Sequence, residues 1–279
     1  MNVQIPVYPD FDQNSEMSKK MITAKQINDK NFWPTMMEII DHDFKTLPLE
    51  LFKAWASVLI VPMMSMSRHM EYIQIVTQKI REDKTYYDAL VEPMVGFNKQ
   101  IFDRMFRIFD NHNISMNRIH HIAHLILSGF DKEKLSGMKK IIEIGAGSGD
   151  MADIIYKLGF TGEYYIYDFP ELMKVHEWYH TQLGHKVNYI NDYNDLPKAD
   201  LCIATWSLTE MPIELRDNIL SNIKDTSNWI VCYSNKIFDY DNNDYIKNNF
   251  LSKVKGTEEY IDVPWMPWDG GTQYIIVRS

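Results

Sequence analysis

Cysteine is almost missing from this sequence. Only Cys202 and Cys232 occur in 279 residues, both inside apolar runs. That excludes a disulfide framework, and the pair reads as small core residues of a reducing compartment. Long apolar stretches are missing as well. The longest, "WASVLIVPMM" at 55–64, is too short to span a bilayer. The N-terminal stretch "MNVQIPVYPDFDQNSEMSKK" holds no apolar core of signal-peptide length. Basic residues are outnumbered, 29 Lys and Arg against 38 Asp and Glu, for a net charge of −9. This balance speaks against nucleic acid or an anionic membrane as the main partner. No internal repeat or low-complexity tract stands out. What remains is a chain long enough to bury a sizeable core in one large domain or two small ones, with a cytoplasmic setting expected.

Two halves are legible. Up to about residue 130 the apolar residues recur at helical spacing, as in "FNKQIFDRMFRIF" (97–109) and "ISMNRIHHIAHLILSGF" (114–130), where Gly129 follows the helix end. Five or six helices are expected there, with breaks near Pro48, Pro62 and Pro93 and no convincing strand. Met63, Met64, Met66 and Met70 read as core filler. After residue 138 short apolar runs alternate with amphipathic stretches. Strands are expected at 139–144, 163–168, 186–190, 200–206 and 228–234, with helices at about 149–158, 170–183 and 212–223. That alternation predicts an α/β fold with a doubly wound, mostly parallel sheet. The tail, "EYIDVPW" (259–265) and "TQYIIVRS" (272–279), reads as a hairpin added to the sheet's edge, which brings the sheet to seven strands. The expected division is a helical N-terminal cap domain over 1–130 and a Rossmann-like domain over 131–279.

Glycine is scarce too, at 12 residues, yet three fall within five positions in "IIEIGAGSGD" (141–150). The stretch sits where the first strand turns into a helix. Gly145 and Gly147 permit a tight turn and leave no side chain between backbone and ligand, and the helix beginning near Gly149 points amides at the same spot. Two ligand types compete for such a turn. A dinucleotide site has an apolar residue where this chain has Glu143. A carboxylate there repels a pyrophosphate but suits a ligand carrying an ammonium group. Asp168, at the end of the second strand, is placed to accept both ribose hydroxyls and fits either ligand. Glu143 discriminates, and it favours S-adenosyl-L-methionine over a dinucleotide of the oxidoreductase type.

Three stretches, "IIEIGAGSGD", "YYIYDFPEL" and "ATWSLTEMP", together resemble successive motifs of class I S-adenosylmethionine-dependent methyltransferases, and within them the sugar O-methyltransferase family. The likeness covers roughly residues 115–279. Two departures stand out: Ser148 where an aromatic residue is common, and Thr205-Trp206 in place of Asn-Tyr. The resemblance implies a Rossmann-like cofactor domain and transfer of a methyl group to a hydroxyl of a sugar or glycan precursor. Position by position, it implies that Gly145, Ala146 and Gly147 line the methionine end of the cofactor, with Glu143 near its amino group. Asp168 would hold the ribose and Phe169 the adenine. Asp192 would accept from the adenine amine with Tyr193 alongside, although Asp is equally ordinary loop punctuation. Trp206 and Ser207 would lie beside the sulfonium and the incoming acceptor. The helical domain would cover the acceptor pocket and form a homodimer. The same scaffold acting on another small molecule, or binding the cofactor without catalysis, stays open.

A hydroxyl acceptor needs a base. Glu210, in "SLTEMP", follows the strand end that faces the acceptor, and serves equally well as a helix-start residue. The other candidates are His120 and His121 in "RIHHIAH". His120 and His124 lack the intervening Glu of H-E-x-x-H, so no metal is expected. A histidine is slightly favoured, because imidazole titrates near neutral pH without help, and activity would then fall off below about 6.5. His69 and Asp269 come next. Trp265 and Trp268 in the tail suit a sugar face or simply pack a loop.

Overall fold

The computed structural model describes residues 31–55, 70–97, 99, 102–103, 113–238, 240–264 and 271–279. The expected His69, Asp269, Trp265 and Trp268, Met63, Met64 and Met66, the break at Pro62 and most of 97–109 lie outside them.

Among the described residues, the part of the chain before the first strand is helical, as expected. Helix α1 (Phe32–Thr46) is followed by a 3-10 turn at Leu49–Ala54, α2 (Met70–Glu82), α3 (Thr85–Leu90), α4 (Met116–Leu127) and α5 (Lys132–Ser136). Capping sets several of these ends. The Ser115 side chain accepts from the Arg118 backbone N–H at the start of α4, and Asp131 accepts from Lys134 N–H at the start of α5. Gly129, with φ +69°, turns the chain just past α4. Met70 departs from its expected core role. It opens α2 and is 57% exposed, because the apolar stripe of that helix runs through Tyr72 and Val76 instead.

The second half alternates strands and helices. In order these are β1 (Lys140–Ile144), α6 (Asp150–Lys157), β2 (Glu163–Tyr167), α7 (Pro170–Leu183), β3 (Val187–Tyr189), β4 (Leu201–Thr205), α8 (Ile213–Ile223) and β5 (Asn228–Ser234). A small hairpin, β6 (Lys236–Ile237) with β7 (Tyr240–Asp241), follows. Next, α9 (Asn242–Tyr245) runs through a π-helical turn at Ile246–Phe250 into α10 (Leu251–Lys253). Neither the hairpin nor these helices is signalled by the sequence pattern. Strands β8 (Thr257–Asp262) and β9 (Thr272–Arg278) close the chain.

The seven strands form one sheet in the order β3-β2-β1-β4-β5-β9-β8. The first five are parallel; β9 runs antiparallel to β5, and β8 antiparallel to β9. The tail hairpin is therefore where the sequence places it, on the edge. Both faces are covered, which is why the central strands read as continuous apolar runs. One face presents Ile141, Ile203, Ile230 and Ile276 to a cluster that also holds Tyr72, Val76 and Tyr86 of the N-terminal helices and Ile119 and Ile122 of α4. The other presents Ile142, Ala204, Val231 and Ile275 to α8 and the α9 region. A third cluster joins α1 and Phe52, Ala54 and Trp55 to Leu172, Val175 and Tyr179 of α7.

The winding reverses between β1 and β4. The chain leaves β1 towards β2 and β3, then crosses back to lay β4 on the other side of β1. Ligands of doubly wound sheets lie beyond the carboxyl ends of the strands at that point. Among the described residues no helix is long and apolar enough to cross a membrane.

Candidate active site

The glycine turn stands at the carboxyl end of β1. Gly145, Gly147 and Gly149 have φ of +72°, +56° and +81°, the left-handed region that side chains avoid. A Cβ on Gly145 would stand 2.3 Å from the Ser207 Cβ, so only glycine lets the loop after β4 close on the turn. Ser207 is fixed there by donating its hydroxyl to the Ile144 carbonyl. The structure thus brings together the ends of β1 and β4, as the sequence motifs require.

Asp168 lies at the back of the turn. Its Oδ2 accepts from Ala146 N–H at 2.8 Å and its Oδ1 from Phe169 N–H at 2.8 Å. Burial raises its pKa, against the pull of His176 and backbone amides. Glu143 is sealed at 2% exposure and accepts a 2.8 Å bond from the Tyr164 hydroxyl. Burial outweighs that bond and pushes its carboxyl up to about 8, so it is neutral at pH 7 with no ligand present. Asp192 is exposed, and its Oδ1 accepts from both the backbone and the side-chain nitrogen of Asn194 at 2.9 and 2.8 Å, an ordinary turn cap. Tyr193 is half-buried against the α8 face of the sheet.

Trp206 follows β4 with φ +62°, a left-handed conformation that costs a bulky residue on the order of 1–3 kcal/mol and clusters at functional sites. Its indole nitrogen is buried with no hydrogen-bond partner, and its ring lies 5.3 Å from that of His124. The histidine helix α4 therefore does face the end of β4. His124 is spent on the Tyr274 hydroxyl, which also meets Tyr72 OH at 3.0 Å. His120 packs edge-on against Tyr72 at 4.8 Å. Both ring nitrogens of His121 are buried without a partner, and burial lowers its pKa to about 4. Titration near 6.5, the reason for favouring a histidine base, does not hold at His121.

Glu210 lies in a 3-10 turn after Ser207 and accepts a 3.0 Å bond from the Trp33 indole. Burial pushes its carboxyl up to about 8, opposed by Trp33 and Arg216. Of the two candidate bases with a resolved shift, Glu210 is tuned closer to neutral pH. Trp33 also lies against Phe169, with ring centroids 5.8 Å apart.

Beneath the turn is a cluster that sequence spacing does not announce. Asp150, the first residue of α6, accepts at Oδ1 from Lys53 Nζ at 2.6 Å, Tyr179 OH at 3.0 Å and Arg118 Nη1 at 3.2 Å. Its Oδ2 accepts from Asn117 and from Ser148, each at 2.7 Å. Lys53 also donates to Glu92 at 2.6 Å, and Arg118 to Asp153 at 2.7 Å. Arg118 therefore braces the turn from below. Burial raises the Asp150 carboxyl, but Lys53 and Arg118 outweigh it and hold it well below the usual carboxylate range.

The parts present fit a nucleoside with an amino-acid tail: bare left-handed backbone at the turn and the Asp168 carboxyl bonded to it. Glu143 stands behind them, but burial holds it neutral near pH 7, so the charge repulsion of a pyrophosphate expected from the sequence does not hold there. Sheet order and turn together define a class I S-adenosylmethionine-dependent methyltransferase. A family model described as an O-methyltransferase domain matches residues 76–232, more than half of the chain. The protein belongs to that O-methyltransferase family, and S-adenosylmethionine is its cofactor. No curated protein matches the sequence. Among solved structures, the chain is similar to magnesium protoporphyrin IX methyltransferase from Synechocystis PCC 6803 with bound S-adenosylmethionine. That match has 16% identity, covers 65% of this chain and 93% of that one, and has a TM-score of 0.46. It is also similar to a protein of Nostoc punctiforme PCC 73102 described as an O-methyltransferase, at 13% identity over 59% of this chain and 58% of that one, TM-score 0.45.

Proposed function

We propose that this protein methylates a hydroxyl oxygen of a sugar or glycan precursor, with Glu210 as the base. The observation that carries the reading is the Glu210 carboxyl, in the single 3-10 turn after β4, which accepts from Trp33 and is tuned to about 8 close to the Ser207 that seats on Gly145. The cofactor, when bound, supplies an activated methyl group on a good leaving group, so the protein's part is positioning and proton removal. Gly145, Ala146 and Gly147 present bare backbone to the methionine end, and Glu143 lies behind them towards the amino group. Asp168, already bonded to the Ala146 and Phe169 amides, takes the ribose hydroxyls. Phe169 faces the adenine, with Asp192 and Tyr193 at its far edge. Glu210 accepts the acceptor's hydroxyl proton as the new bond forms, while His120 and His121 line the acceptor side with Trp206.

The motif likeness supports a carbohydrate acceptor, and the Trp33 ring beside Glu210 supplies an aromatic group of the kind pyranose rings pack against. The same ring favours a second reading, a planar phenolic acceptor. Turnover of labelled S-adenosylmethionine with a panel of sugar nucleotides and a panel of phenols decides between them. Methylation of phenols alone overturns the carbohydrate assignment. Cofactor binding with no turnover on either panel leaves a silent binding protein.

Asp168→Ala should weaken S-adenosylmethionine binding by about 1.5–3 kcal/mol, the scale of hydrogen bonds to a charged group. Calorimetry on the folded variant checks this. An unchanged affinity would move the ribose away from Asp168.

A further inference from the structure

The start of α1 is held by contacts from distant parts of the chain. Asn31, at its N-cap, makes no side-chain capping bond. Instead, Phe32 stacks on Phe238 with centroids 5.6 Å apart and planes at 30°, and meets Trp33 edge-on at 5.2 Å. Trp33 lies over Phe169 at 5.8 Å with planes at 31°, and its indole N–H reaches Glu210 Oε2 at 3.0 Å. Trp33 therefore bridges the segment after β2 to the segment after β4, across the mouth of β1. Phe238 holds its place with φ +50°, an uncommon conformation for a bulky residue.

The bond from Trp33 is the one side-chain hydrogen bond Glu210 makes among the described residues. The charged group facing Glu210 from the neighbouring helix is Arg216. Its guanidinium is occupied by the carbonyls of Met211 and Thr209 and by Asn242 Oδ1, and lies over the rings of Tyr240 and Tyr245. Arg216 thus tunes the carboxyl without gripping it. The indole N–H fills one lone pair of Oε2 and leaves Oε1 without a side-chain donor among the described residues, so this one bond orients the carboxyl.

We infer that Trp33 is a positioning residue of the methyl-transfer site, its N–H orienting the Glu210 carboxyl and its ring backing Phe169. The helical N-terminal segment then supplies a wall of the site rather than a detached cover. The inference rests on the reading of Glu210 as the base.

Two variants separate the N–H from the ring. Trp33→Phe keeps an aromatic ring and removes the donor; Trp33→Ala removes both. The probes are S-adenosylhomocysteine, titrated by calorimetry, and the infrared carbonyl band of protonated carboxyl groups, followed against pH. Glu210→Gln identifies which band belongs to Glu210. In the unaltered protein that band should disappear with a midpoint of about 8. Trp33→Phe should raise the midpoint by about half a pH unit or more, because the lost bond favours the ionised form, and should bind S-adenosylhomocysteine within about twofold of normal. Trp33→Ala should show the same shift and bind it roughly tenfold more weakly, the scale of a lost ring contact. An unshifted band in Trp33→Phe, or normal binding in Trp33→Ala, overturns the inference even if Glu210→Gln is inactive. Full turnover by Glu210→Gln instead removes the base assignment, and the catalytic role of Trp33 with it.

Discussion

Glu210→Gln should lower turnover by about 10²–10⁴ while leaving fold and cofactor affinity in place, the usual weight of a general base. The amide keeps the size of the side chain and an oxygen that can accept from Trp33, so only proton uptake is lost. The pH profile gives the same answer independently. A base acts in its deprotonated form. With Glu210 near 8, kcat/KM should rise about tenfold per pH unit below that value and level off above it. His121, held near 4 by burial, would give a flat profile from about pH 5 upwards. A profile that is already flat at pH 6, together with near-normal turnover by Glu210→Gln, assigns the proton to His121 or to another group.

Asp150→Asn should destabilise the fold by about 3–5 kcal/mol, the cost of breaking a buried ion pair from one side. Lys53, Glu92, Arg118 and Asp150 all have fully buried side chains, so the two cations cannot turn to water when their shared anion is lost. A loss of that size is a large share of the roughly 5–15 kcal/mol that holds a domain folded. Removing Lys53 as well, as Lys53→Met, should cost less than the sum of the two single losses, because each single variant already breaks the Lys53–Asp150 contact. Denaturant midpoints of both single variants and the double variant measure the coupling. Strictly additive losses would show that Asp150 and Lys53 do not stabilise one another. The pH dependence has a definite sign. The Asp150 carboxyl is depressed in the folded state, so its contribution is present above the ordinary carboxylate pKa near 4 and fades as pH falls below it.

The locations of the two groups differ in how well the sequence announces them. Glu210 is legible because it follows a strand end within one recognisable stretch. Asp150 stands inside the glycine motif, yet its distant partners come from positions 53, 117, 118 and 179, and no local period relates them. Trp33 is 177 residues from Glu210 and carries no motif of its own.

The sequence by itself determined the strand order's raw material: which runs become strands, that β8 and β9 pair at the edge, and that a left-handed glycine turn follows β1. These features rest on period, on turn chemistry and on the absence of a side chain, all properties of neighbouring residues. Only the tertiary structure decided the charge states and the far partners. Glu143 and Glu210 become neutral near pH 7, and His121 loses its affinity for a proton, because packing removes water from each of them. Desolvation depends on what the whole chain places around a group, and spacing along the chain does not encode it. Likewise, the contact of Trp33 with both Phe169 and Glu210 exists only because α1 docks across strand ends that the sheet's reversed winding has brought side by side.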